Sequence, residues 1–540
     1  MELPWINGVA TFAGVTSHVL FFRQNEHHMY ALRYIQIFLA TFASVVALLV
    51  SIEHDSIRHA TIKVGSISAF YLSGVYTSLL FYRTVLHPLN KFPGPFGARV
   101  SSFWLPLQIR NADGFKRVKI LHDKYGEFVR VGSSDLSITN PKAVHAIYGP
   151  GTKCTKGSWY DQFLPLVSMH TYRDRAQHDR RRRVWSPAFS DKALRGYEQR
   201  MSRFLDQLVA KMTTLAGQPV NVKSWFNRYT YDIMGDLSFG TSFDMLESKD
   251  EHFAIKILNE GVSTLGLLIP IWFAKLMMSI SSAMGEWERF VEFCLGQLTA
   301  RMSRKEPIPD ILTTLLAPFG DWKPTQAEMH LLQAESQLII IAGSDTTAAA
   351  LVYIFYELLR HPEHIKTLRE EMASHVLDKE HISHLELQHL DHLNGVINES
   401  LRLHPSVPTA AQRLTPPEGI DIDGIHIPGN MTVWCPQYVV GRSEKAYDRP
   451  DDFVPERWYS RPEMVKEKTA FSPFMTGPYS CIGKPLALQT MRLTIAKLLM
   501  NFDICFAPGE DGDSVEAETR DYFIAQPGDL DVRFSKREVV

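Results

Sequence analysis

From Gln326 to Arg360 the chain runs for 35 residues with no proline and a single glycine, Gly343, and the whole stretch reads as one helix. At about 1.5 Å of rise per residue such a helix is roughly 50 Å long. In its apolar middle, from Leu338 to Thr347, an acid and two hydroxyls (Asp345, Thr346 and Thr347) interrupt a run that would otherwise be wholly buried. A buried carboxylate is costly unless it is paired or used. Asp345 is then either part of a satisfied polar cluster, with threonine hydroxyls bonded back to helix carbonyls, or a group with a chemical task.

The second constraint is a cysteine. The loop Phe474-Met475-Thr476-Gly477-Pro478-Tyr479-Ser480 delivers Cys481 just ahead of an amphipathic helix with Leu488, Met491, Ile495 and Leu498 at helical spacing. Unpaired N–H groups and the helix dipole favour negative charge there, so the thiol pKa is expected to fall and the sulfur to serve as a metal ligand. Gly477 and Gly483 permit backbone geometry that a side chain would obstruct, letting N–H groups approach the sulfur. One soft ligand with no cysteine or histidine beside it suits neither structural zinc nor an iron–sulfur cluster. It suits an iron whose other ligands come from a macrocycle.

Two further patterns flank these. Ahead of the long helix, four consecutive arginines follow His178 and Asp179; His178 and Arg182 share one helix face, with Arg180 and Arg181 turned elsewhere. Beyond it, Glu399 and Arg402 stand one turn apart before Leu403-His404-Pro405, and Asp452 to Trp458 contributes Arg457. Taken in order with Gly343-Ser344-Asp345-Thr346-Thr347 and Phe-x-x-Gly-x-x-x-Cys-x-Gly, these motifs resemble those of the cytochrome P450 family, the haem-thiolate monooxygenases, of fungal membrane-bound type. The resemblance covers residues 83 to 530.

It implies a mainly α fold with a minor β-sheet around haem b, and insertion of one oxygen atom from dioxygen into an apolar substrate in fungal secondary metabolism. It implies Cys481 as the axial iron ligand in a loop shaped by Phe474, Gly477 and Gly483, and His178, Arg182 and Arg413 near the haem propionates. Thr346 and Asp345 would serve oxygen activation, with Gly343 leaving room over the helix backbone. Glu399, Arg402 and Arg457 would form a buried network that locks the cysteine loop. One departure stands out: the family often has a basic residue two before the cysteine, and here that position is Tyr479. No Gly-x-Gly-x-x-Gly follows a strand, so electrons are expected from NADPH through a cytochrome P450 reductase, with Arg180 and Arg181 offering it a basic surface. Two other readings are a haem-thiolate isomerase or dehydratase without external oxygen, whose members tend to lose the acid–threonine pair, and a non-catalytic haem-binding membrane protein.

The first 82 residues contain three apolar stretches, Leu3 to Phe22, Tyr34 to Ile52 and Val64 to Tyr82, each near the ~20 residues that cross a bilayer. Met1-Glu2-Leu3-Pro4 lacks the basic start of a signal peptide. Positive charge after the third stretch (Arg83, Lys91, Arg99) favours a cytosolic catalytic part and a luminal N-terminus, at the endoplasmic reticulum; a single span with two surface-lying segments is the alternative. The expected division is a membrane region, 1–82, and a haem-binding domain, 83–540, joined by a linker at Pro93-Gly94-Pro95 whose prolines force extended backbone. From Phe128 to Thr139 alternation reads as a small sheet. Val262 to Met278 is an apolar, proline-interrupted run: core packing by default, or a membrane-touching segment over the substrate pocket by resemblance. Ser406 to Arg413 and Tyr522-Phe523-Ile524 are expected near haem and substrate. A net charge of -2 from 57 basic and 59 acidic residues gives no argument for nucleic acid, and five scattered cysteines fit a reducing compartment rather than a disulfide framework.

Overall fold

The computed structural model describes residues 4–248, 263, 265–280, 285–304, 308–320, 324–376, 378, 381–409 and 411–537. The chain divides into two compact units, one of residues 1–107, 129–136 and 268–283, the other of 108–128, 137–267 and 284–540.

In the first unit the three apolar stretches are helices: α1 (Pro4–Ser17), continued as a π-helical turn to Phe22, α2 (Ala31–Ile52) and α3 (Ile57–Phe81). All three are long and apolar enough to cross a membrane, and α2 has no buried residue at all. A contiguous apolar surface of that size is a poor neighbour for water and a good one for lipid. Glycines bring α1 and α3 together. A Cβ on Gly14 would lie 2.1 Å from the Tyr71 carbonyl oxygen, and one on Gly74 2.1 Å from that of Thr11. Small residues at such crossings are what allow membrane helices to pack backbone to backbone.

The connector after α3 is tied down rather than loose. Arg130, at the end of β1 (Phe128–Arg130), donates to Asn90 Oδ1 at 2.6 Å and to the Arg83 carbonyl at 3.3 Å, while its own N–H reaches the Pro93 carbonyl at 2.8 Å. The turn into β2 (Asp135–Ile138) is closed by Val131 N–H on the Asp135 carbonyl. The helix Ile271–Ile280 belongs to this unit as well, packed on α2, with Trp272 and Phe273 edge-on to Phe103 at 5.5 and 5.1 Å. Only the part of the expected apolar run from Leu268 onward sits with the apolar helices, while Leu265–Leu267 belong to the other unit; Val262 and Thr264 lie outside the described residues.

The second unit is helical. The helices that position the site are α4 (Arg175–Trp185), α5 (Asp191–Thr214), α6 (Val222–Phe239), α7 (Gln326–Arg360), α8 (Asp391–Leu403) and α9 (Lys484–Asn501). α7 has the length expected of it, opened by a capping box in which Thr325 and Glu328 bond each other's backbone N–H. By composition it too is apolar enough to span a membrane, but 72% of that stretch is buried within the protein, which makes it a core helix. α6 lies along it so closely that a Cβ on Gly343 would meet the Met234 side chain at 2.5 Å. Gly343 therefore serves helix packing, and the room expected over its backbone is filled by Met234. Three short antiparallel strands complete this scaffold: β3 (Thr155–Lys156), β4 (Arg413–Leu414) and β5 (Thr432–Trp434), with Lys156 opposite Arg413 and Arg413 opposite Val433.

Replacing Gly74 by Leu is expected to force α1 away from α3 and lower the melting temperature of the full-length protein in detergent micelles. Gly8→Leu on the same helix pair, where nothing lies within 4 Å of the new Cβ, should leave it unchanged.

Candidate functional site

Cys481 is held by its own loop. Its N–H donates to the Phe474 carbonyl at 2.8 Å, and the Phe474 ring packs on the core with the Lys484 ammonium 5.8 Å from its centre. Gly477 has φ +63°, and a Cβ there would strike the carbonyl oxygens of Tyr148 and Gly149 at 2.4 and 2.5 Å, so this turn requires glycine. Gly483 differs: its φ of -80° suits any residue, and a Cβ would stand 3.8 Å from the sulfur, at ordinary contact. The backbone N–H groups of Gly483 and Lys484 favour the thiolate form of the sulfur, as the helix N-terminus leads one to expect. Their effect does not prevail, however. Burial pushes the Cys481 thiol up, outweighing those N–H groups and the charges of Arg182 and Lys484, so the expected fall in pKa is overturned: desolvation of a thiolate exceeds what partial charges return. A bound cation reverses that balance by deprotonating the thiol outright. The side chain is enclosed by protein on the longer scale yet open at contact range, as a side chain lining an internal cleft is.

Arg182 clamps the loop, donating from Nη1 to the Ser480 carbonyl at 2.6 Å and from Nη2 to Ser480 Oγ at 3.2 Å. His178, one turn earlier on α4, meets the Tyr479 ring edge-on at 4.6 Å and bonds Asp179 through Nδ1. Burial and the Lys156 charge bring its pKa down to about 4, so it is a neutral imidazole at pH 7 and Arg182 carries the charge of the pair. Arg413 projects from β4 over the same Tyr479 ring at 4.9 Å. The three residues expected near the propionates are gathered around one loop. Arg181 is not the surface residue expected of it: its guanidinium is buried and forks onto Glu335 of α7, which also accepts from Trp185 Nε1 at 2.9 Å. A buried charge needs a partner, and this one pins α4 to α7; Arg180 and Arg183 remain exposed.

On α7, from Ala334 to Leu359, every residue is buried except Leu338, Ile341, Ala342, Gly343 and Thr346. Apart from Gly343, which packs on Met234, that spacing is one helical face, an open stripe in the middle of a core helix. Thr346 Oγ1 donates to the Ala342 carbonyl at 2.7 Å, the back-bonded state considered for it. Asp345 lies beside the stripe in full burial, which pushes its pKa up to about 7 against the opposing bond from Tyr231, and its Oδ2 has no hydrogen-bond partner. Ser406 Oγ donates to the Thr346 carbonyl at 2.9 Å and its own carbonyl accepts Ala525 N–H at 2.9 Å, so both segments expected near the site reach α7; Ala410 is outside the described residues. Phe523 takes a left-handed φ of +77° and stacks on Trp159 at 4.7 Å.

The Glu399 network is complete and larger than expected. Arg402 Nε and Nη2 donate to the two carboxylate oxygens at 2.9 and 2.8 Å, and Arg457 Nε donates to Oε1 at 2.8 Å. Trp458 Nε1 and the Val454 N–H, both absent from the sequence expectation, add bonds at 2.9 Å each. The remaining guanidinium N–H groups take carbonyls of Gly441, Pro450, Asp452, Asp448 and Arg449.

Comparison with known proteins agrees with this geometry. A family model described as Cytochrome P450 matches residues 93–532. The chain is 44% identical over 529 residues to the Cytochrome P450 monooxygenase notG' of Aspergillus versicolor, covering 97% of each chain. It is 45% identical over 510 residues to the Tryprostatin B 6-hydroxylase of Aspergillus fumigatus, covering 93% of this chain and 91% of that one. A crystal structure of the cytochrome P450DA heme domain shares the fold, with a TM-score of 0.68 at 19% identity over 83% of this chain and 98% of the other.

Glu399→Gln leaves two buried guanidinium groups without their charge partner and is expected to destabilise the protein by about 3–5 kcal/mol in denaturant titrations. Asp345 gives a signature in pH. The native carboxyl holds its proton to about pH 7, the unfolded one only to 3.8. Between those values the native state binds more protons, so stability falls as pH rises through the window and levels off above it. Asp345→Asn should remove this contribution, at most about 1.4 kcal/mol per pH unit; its melting temperature relative to wild type should climb from about pH 5 to pH 7 and then stay level.

Proposed function

The chain belongs to the cytochrome P450 family, and on that premise we propose that Cys481 holds the haem iron as a thiolate. It is a haem-dependent monooxygenase of the kind found in fungal secondary metabolism, which works on a small-molecule substrate with a redox partner. The observation that carries the site assignment is the cysteine loop: a sulfur at a helix N-terminus, beside the Arg182 clamp, open at contact range. That donor set fits haem, as does the apolar stripe on α7, which offers a flat ring system side chains without charge.

When bound, haem supplies the activation of dioxygen. The protein's part is protonic and steric. Asp345 is about half protonated at pH 7, so its carboxyl can give a proton and recover one within the working range. Thr346 exchanges its bond to the Ala342 carbonyl for one to a ligand by rotating one side-chain torsion, which places a hydroxyl donor on the open stripe. Ser406 holds the Thr346 backbone while it does so. His178, Arg182 and Arg413 orient the propionate edge, Phe474 and Gly477 shape the loop, and Gly483 keeps the space next to the sulfur free of a side chain. Glu399, Arg402 and Arg457 fix the backbone that leads into the loop.

The N-terminal apolar helices are consistent with membrane anchoring. We assign residues 1–82 to a membrane region of the endoplasmic reticulum and 83–540 to the haem domain on its cytosolic side, supplied with electrons from NADPH by the membrane-bound cytochrome P450 reductase. The substrate is an apolar metabolite; relatives named for tryprostatin B hydroxylation support the class.

The decisive test is the reduced, carbon-monoxide difference spectrum of membranes carrying the full chain, beside Cys481→Ser. A strongly red-shifted Soret band, lost in the variant, is expected. Well-folded wild-type protein without that band overturns the thiolate assignment.

A further inference from the structure

The loop that carries Cys481 has a tyrosine where a cation is usual, yet the space around that tyrosine is crowded with positive charge. Lys156 of β3 lies 4.9 Å from the centre of the Tyr479 ring, Arg413 of β4 also at 4.9 Å, and Arg175 at 5.5 Å. Lys156 and Arg413 are direct cross-strand partners, both buried. Like charges directly opposite each other are destabilising, and burial makes this pair worse.

Among the described residues neither Lys156 nor Arg413 forms an ion pair. Burial and the Arg413 charge push the Lys156 ammonium well below its usual range, and Asp179, the acid that opposes this, is already bonded to His178 and Arg175. The Lys156 ammonium donates to the carbonyls of Met169 and His170 at 3.0 and 2.6 Å, which occupies two of its three N–H groups and neutralises no charge. Arg413 spends Nη1 on Tyr160 Oη and on the Ala411 and Gln412 carbonyls, while its Nε is buried without a partner, as is the Tyr479 hydroxyl. Unmatched cations and unused donors converge on one spot beside the cysteine loop, and they call for a carboxylate.

Resting on the haem site proposed above, we propose that Lys156 is a haem-propionate ligand of this chain, supplying from β3 the positive charge that the cysteine loop lacks at Tyr479. The tyrosine fits this arrangement because its ring lies against two cations that an arginine in its place would repel. The charge has moved from the loop to the neighbouring sheet.

The test is the rate at which ferric holoprotein, full-length in detergent, gives up haem to excess apomyoglobin. Lys156→Met is expected to lose haem roughly 10- to 100-fold faster than wild type, and Lys156→Arg to stay near it. Lys156→Gln keeps a donor for the two carbonyls but not the charge, and carries the test if the methionine variant does not fold; it should also lose haem faster. Adding Tyr479→Arg to Lys156→Gln should recover most of the retention, which a purely structural lysine would not predict. Loss at the wild-type rate in a folded Lys156→Gln, or no recovery in the double variant, overturns the inference. A wild-type protein with no thiolate-haem band would instead fail the site itself, so the two failures are distinct.

Discussion

The Glu399 carboxylate is the point on which the second unit closes. Its two oxygens receive five hydrogen bonds, from Arg402, Arg457, Trp458 and the Val454 N–H. Arg402 is local, one turn away on α8; the others arrive from more than 50 residues downstream. The two guanidinium groups then reach onward to five backbone carbonyls between Gly441 and Asp452. A stretch with almost no regular secondary structure is thereby fixed by side chains as well as by its own turns. Without the carboxylate, two buried cations would face each other and the segment before the cysteine loop would have no reason to hold one path.

The same physics runs in reverse around the cysteine. There the excess is positive and uncompensated: Arg182 on Ser480, Arg413 and Lys156 around Tyr479. The thiol is pushed up by its own burial. Both features weigh against the protein alone, and on the proposed haem site both would be relieved by an iron with an anionic periphery, which would couple cofactor binding to folding stability. The Glu399 network, neutralised within the chain, has no such dependence. The unit contains one polar core that is self-sufficient and one that is not.

Much of this was legible because it is local. The 35-residue helix follows from its apolar run, and the Glu399–Arg402 pair and the His178–Arg182 face follow from helical spacing. What the spacing could not convey was which partner a charge would find across the fold. Arg181 sits among four arginines and looks like surface, yet Glu335 waits for it on α7. Glu335, like Asp345, is an acid in an apolar helix and needs a partner, which points to the pair. Gly343 fits an oxygen-handling motif and instead makes room for Met234. Lys156 was invisible because its meaning comes from a strand register that pairs it with Arg413 across more than 250 residues. The thiol's rise shows the limit of helix-terminus reasoning, since burial depth cannot be read from a motif.

The contact of α1 with α3 through Gly14 and Gly74 bears on how the anchor can be made and trimmed. α2 separates the two partners in the chain, so α1 has no mate until α3 has been synthesised, and the first helix to emerge is the last to settle. Shortening the protein by removing α1 alone would uncover the groove at Gly74 that Thr11 now fills, leaving a sticky seam for another copy to occupy. A cut after α3 removes both halves of the seam together. The three helices behave as a small assembly with an order of construction.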